Sequence, residues 1–294
     1  MRQVRMVGLV ALAAFAGLAG CKEKQKPVEV TSASSAAPVV VPGTTFSEKA
    51  PAVGDKFAQD DATHLTLSLS VDPKGDGHAK KTEMEQSTTT KTHIEITGVE
   101  GNTVNKAKIE YVDVTTKSTA DGKDTSAPSP LKGKTYVVSS KAGGGFDMRD
   151  DKGKFIPAVE STLIEKDFGW VGKPNPVNIP SHPIKEGEPV PELGAAMKAQ
   201  LEAKKGTTVK SSTATTKSLK AEEGVFTLKV DLTQVTDTGM QVDMSLTGEA
   251  HVAVKDGLLR EYTMTGPVKI TTASGSAKYD GTGTANISRK RAAN

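Results

Sequence analysis

The chain has 294 residues, of which 38 are Lys or Arg and 35 are Asp or Glu, for a formal net charge of +3 at pH 7. Charges of both signs are interspersed, so the dense basic face that nucleic-acid binding requires is missing. The single cysteine excludes an intrachain disulfide, and the fold must be held by packing alone.

The N-terminus has the three parts of a secretion signal. Arg2 and Arg5 give a positive start, and Met6 to Ala16 form an apolar run without charge. That run is shorter than the roughly 20 residues needed to span a bilayer. Small residues then lead to the sole cysteine. Leu18-Ala19-Gly20-Cys21 resembles the lipobox of bacterial lipoproteins, and all four positions match. The resemblance implies that residues 1–20 are a signal peptide and that Cys21 carries a diacylglyceryl thioether and becomes the acylated first residue. Each buried methylene contributes about 0.8 kcal/mol, so two or more acyl chains hold a protein firmly on a membrane. In that family Asp after the cysteine commonly retains the protein in the inner membrane. Lys22 stands there in this chain, which implies the outer membrane. Removal of Arg2 and Arg5 leaves 36 basic against 35 acidic residues.

Residues 21–53 are rich in Ser, Ala, Pro and Lys. Such a composition buries too little apolar surface to offset its ordering entropy and reads as a disordered tether. Treated as a flexible coil of roughly 30 residues, it spans about 30 Å. A single β-rich domain is expected over 54–288. His64 to Val71 alternates without error, with Leu65, Leu67, Leu69 and Val71 on one face and His64, Thr66, Ser68 and Ser70 on the other. That is a half-buried antiparallel strand. "DPKGDG" at 72–77 turns the chain. Thr-rich strands follow, broken at Glu100-Gly101-Asn102, and Asp151-Lys152-Gly153 makes a further hairpin turn.

The middle of the chain changes character over 158–206. Residues 158–169 predict a short helix, with Val159, Leu163 and Phe168 near helical spacing and Gly169 as its stop. Six prolines between Pro174 and Pro191 exclude helix and central strand and predict an extended connector. A second short helix is expected from Pro191 to Lys205, ending at Gly206.

Alternation then returns. Phe226, Leu228, Val230 and Leu232 share one strand face, and Val242, Met244 and Leu246 share another. "KDG" at 255–257 is read as a turn, and "YDGTG" at 279–283 as the last hairpin. Residues 289–294, with Arg289-Lys290-Arg291, are read as a solvated basic tail that touches at most anionic headgroups. The fold class is α+β and mostly β. About ten strands form one large curved antiparallel sheet, or two packed sheets, with two short helices and a Pro-rich connector inserted in the middle.

Catalytic and metal motifs fail one by one. His64, His78, His93, His182 and His251 show no H-x-x-x-H pair and no cysteine partner. Gly133-Lys134-Thr135 imitates the end of a P-loop, but Pro128 replaces the first glycine and a strand follows. Ser129 and Lys132 match S-x-x-K by spacing alone, with no K-T-G elsewhere. Asp147, Asp150 and Asp151 lack the EF-hand register, and Gly143-Gly144-Gly145 reads as a joint or bulge. The expectation is therefore a protein without enzymatic activity, cofactor or metal.

Two functions remain. One is a structural or interaction role in the envelope, with a protein partner there. The other is binding or carrying of an apolar ligand, a lipid or acyl chain, in a half-barrel cavity lined by Leu65, Leu67, Leu69, Trp170, Phe226, Leu228 and Val230. The layout resembles the curved half-barrel of periplasmic lipoprotein carriers in architecture alone, and no functional residue is carried over from them. The simpler reading of Trp170 is that it packs the insert against the sheet.

Overall fold

In the computed structural model the described residues are 43–47, 49–173, 182–202, 206–236, 239–273, 275 and 277–293. The leading strand, β1 (Lys56–Asp72), lies in the middle of the sheet rather than at an edge. From it the chain steps outward through β2 (Lys80–Glu100), β3 (Thr103–Ala120), the two-residue β4 (Lys123–Asp124), β5 (Thr135–Ser140) and β6 (Phe146–Asp150). It then passes through α1 (Ala158–Phe168) and α2 (Pro191–Glu202) to the opposite edge. From there it returns inward through β7 (Thr207–Leu219), β8 (Glu223–Val235), β9 (Met240–Ala253), β10 (Leu259–Thr272) and β11 (Lys278–Ala293). The result is one antiparallel sheet of 11 strands in the order β6-β5-β3-β2-β1-β11-β10-β9-β8-β7, with β4 paired to β3. It is not closed: β6 and β7 are its two ends, and the helical insert joins them in sequence.

Residues opposite each other on paired strands share a face, so the register defines a single apolar surface. Leu67 of β1 lies opposite Met84 of β2 and Gly283 of β11, and Leu65 lies opposite Ala285. On the far half, Leu228 lies opposite Ala214 and Gly248, and Val230 opposite Leu246. Two buried clusters cover this surface. In the larger one, Leu193, Met197 and Leu201 of α2 pack on β1 and β7–β11. In the smaller one, Ile164 and Phe168 of α1 pack on Ile94, Ile109, Tyr111, Tyr136 and Val138.

Turn chemistry matches the first hairpin. The Asp72 carboxylate accepts four backbone N–H groups, from Lys74, Gly75, Asp76 and Gly77, at 2.7 to 3.3 Å. The expected turn at 279–283 is corrected, because Tyr279 to Gly283 lie inside β11. Gly283 serves close approach rather than turning: a Cβ there would stand 1.9 Å from the Thr66 carbonyl oxygen. Gly266 of β10 is confined in the same way, 1.9 Å from the Ser245 oxygen. Such glycines let neighbouring strands bend sharply toward one another.

Three further expectations change. Residues 289–293 are not a tail; they pair with β1 as far as Phe57 opposite Ala293. The tether ends earlier than residue 53, since Thr44 bridges to Ile184 and Phe46 is buried against Phe226. The α1 core face is Glu160, Ile164 and Phe168, while Val159 is exposed. The expected acylation site at Cys21, the expected tether up to residue 42, the expected connector over 174–181 and the expected end of the second helix at Lys205 lie outside the described residues.

Candidate functional site

Six of the seven residues expected to line a cavity come together. Leu65, Leu67, Leu69, Phe226, Leu228 and Val230 all belong to the larger cluster. Trp170 does not join them. It sits just after α1, half-buried against the smaller cluster, with its ring 6.2 Å from that of Phe168.

The chemically distinctive part of the face lies between the clusters. Continuing the alternation of β1 back from Leu65 places Thr63, Asp61, Gln59 and Phe57 on the same side. The register sets them opposite Ile287, Arg289, Arg291 and Ala293 of β11. Gln59 and Asp61 also lie opposite Thr92 and Thr90 of β2, and Arg289 lies opposite Tyr262 of β10. A row of charged and polar groups therefore crosses the middle of an otherwise apolar surface. Gln59 is 2% exposed, Thr92 2% and Arg289 5%.

The groups are connected. Arg289 Nε donates to Asp61 Oδ1 at 2.6 Å, and Gln59 Nε2 donates to Asp61 Oδ2 at 2.6 Å. Arg291 Nε donates to Gln59 Oε1 at 2.7 Å, and its guanidinium stands over the Phe57 ring at 5.0 Å. The Arg289 guanidinium faces the Tyr262 ring at 6.0 Å. From the covering helix, Asp167 accepts the Tyr111 hydroxyl at 3.0 Å. The α1 helix is thus held on the sheet by two tyrosine–carboxylate bonds, the other running from Tyr136 to Glu160 at 2.6 Å.

Burial sets the electrostatics. It pushes the Asp167 carboxyl up to about 7, with the nearby Asp61 charge acting in the same direction and the Tyr111 bond opposing it. Burial also raises the Tyr111 hydroxyl well above its ordinary range, helped by the adjacent Asp167. The Arg291 guanidinium is pushed down by burial and then by Arg289 beside it. Guanidinium groups nevertheless stay charged in proteins. The row can accordingly bind charge, and Asp167 can exchange a proton near neutrality.

This row was missed at the sequence level because Arg289-Lys290-Arg291 ends a chain and looks solvated. A signal was present: Arg289 and Arg291 keep the parity of Ala285 and Ile287, both buried. Alternation carried two residues further would have placed both arginines on the inner face.

No family model matches this chain, and no curated protein matches it. Among solved structures it is similar to a chain described as "lipid-protein interactions in lipovitellin". The TM-score is 0.32 at 11% identity, and the match covers 81% of this chain and 25% of that one. This chain therefore spans about a quarter of the length of the protein it matches.

Proposed function

We propose that this chain is a lipid-anchored protein of the bacterial envelope, held through Cys21, that acts by binding rather than by catalysis. In this reading the apolar face is filled by the protein's own side chains, and the domain serves a structural or interaction role. One observation carries the choice. Leu65, Leu67, Leu69, Phe226, Leu228 and Val230 are each between 0 and 5% exposed. A ligand pocket of several hundred Å³ leaves its lining accessible, whereas these residues are buried in one cluster with Leu193, Met197 and Leu201 of α2.

Transport of an apolar guest has a separate observation in its favour. Ten strands spaced about 4.8 Å apart make a sheet more than 40 Å wide along its curve. Two helices, each about 10 Å across, are a small cover for it, and a proline-rich segment leads into the second. Opening that cover would expose the apolar face to an acyl chain.

The anchor is tested by metabolic labelling with palmitate. The wild-type chain takes up label and fractionates with membranes, while Cys21→Ser does neither. Label on the Ser variant, or none on the wild type, removes the lipoprotein reading.

A further inference from the structure

On the covered face of the sheet two guanidinium groups stand two residues apart on β11, and among the described residues only Arg289 has a carboxylate partner. Both oxygens of Asp61 are engaged, one by Arg289 Nε and the other by Gln59 Nε2. Arg291 rests on a neutral amide, Gln59 Oε1 at 2.7 Å, and on the Phe57 ring. The other carboxyl on this face, Asp167, is bonded to Tyr111 and is only partly ionised at neutral pH. The nearby Arg260 is already paired with Asp256. The row therefore carries an uncompensated part of a positive charge between two apolar clusters.

The donor geometry agrees with the charge. Arg289 bonds Asp61 and Arg291 bonds Gln59 through Nε, the inner edge of each guanidinium. A guanidinium fork matches an oxyanion with two oxygens in a plane, through paired N–H···O bonds. A water satisfies such donors but leaves the charge. A phosphate or carboxylate does both.

We propose that Arg289 and Arg291 form a binding site for an oxyanion, presented by a lipid headgroup or as a free anion. This goes beyond the envelope reading and does not depend on acylation of Cys21. The tether only determines how near the site lies to headgroups.

The test uses the full mature chain, titrated with inorganic phosphate, with acetate, and with dihexanoylphosphatidylglycerol below its micelle concentration. Calorimetry gives the affinity. Arginine side-chain Nε–H resonances in the wild type report the site without any variant. Saturable binding is expected, with the Arg289 and Arg291 resonances shifting together. Arg291→Gln, which breaks no ion pair, is expected to weaken binding at least tenfold, and the surface control Arg149→Gln to leave it unchanged. Equal binding of phosphate and lipid identifies a free oxyanion as the ligand, and binding of the lipid alone identifies a headgroup. The proposal falls if none of the three binds at millimolar concentration, if the two resonances do not move, or if folded Arg291→Gln binds as the wild type does.

Discussion

Arg289 donates to Asp61 at 2.6 Å across 228 residues of sequence, joining the last strand to the first at the centre of the sheet. In the sheet the outward and the returning strands pair along β1 and β11, so this ion pair sits on the seam between them. Removing one partner of a buried pair leaves an uncompensated charge and costs about 3 to 5 kcal/mol, whereas replacing both with apolar groups is often neutral. Asp61→Leu is therefore expected to lose roughly that much stability in urea unfolding, and Asp61→Leu with Arg289→Met to recover most of it. Additive losses in the double variant would remove the pair from the account of stability.

The strand faces were legible because period two is a local signal: Leu65, Leu67 and Leu69, and Phe226, Leu228 and Val230, are placed by their own neighbours in sequence. What stayed illegible depends on distant partners. Arg289 reads as solvated until Asp61 is brought beside it. Glu160 reads as the polar side of α1 until Tyr136 and Lys134 accommodate its carboxylate at 2.6 and 2.7 Å, which turns the helix by one residue relative to the apolar pattern. Gly281 and Gly283 carry the composition of a turn, yet they are used for close strand contact.

Phe46 shows the same limit, since one ring in a Ser-, Thr- and Pro-rich stretch has no periodicity. Its ring lies 5.8 Å from that of Phe226, and a Cβ on Gly224 would stand 2.4 Å from its Cζ. The fit is that of a core residue. Phe46→Ala is expected to cost about 3 to 5 kcal/mol, and a chain beginning at Lys49 to be destabilised comparably. Thermal melts decide it; an unchanged midpoint in both would return residues 43–47 to the tether.

Leu67 and Leu228 separate the filled face from the carrier. Truncation to Ala in a packed core costs about 2 to 5 kcal/mol, while in a pre-existing void it costs less. A bound guest also adds stability as RT ln(1 + [L]/Kd). The expected result is a full-sized loss for each variant and a melting midpoint indifferent to extracted envelope lipids. Small losses together with a lipid-dependent rise would favour the carrier.

Asp167 gives the fold a pH dependence of unusual sign. Its carboxyl is raised to about 7 in the folded chain, mainly by burial, against about 3.9 when unfolded. Between these values the folded state holds more protons than the unfolded one, so raising the pH lowers stability. The contribution is fully present below about pH 4, declines as pH rises through 7, and is then lost. Its slope is at most about 1.4 kcal/mol per pH unit and is reduced here, because the residue is only half-buried and Arg289 and Lys166 oppose the shift. Asp167→Asn keeps an acceptor for the Tyr111 hydroxyl and removes the titration. Urea unfolding of both proteins from pH 4 to 8 is expected to show the Asn variant gaining on the wild type as pH rises, most steeply between about 5 and 6. Parallel stability curves would mean that the carboxylate is solvated well enough to ionise at its ordinary pH, and that the Tyr111 bond alone holds that end of α1.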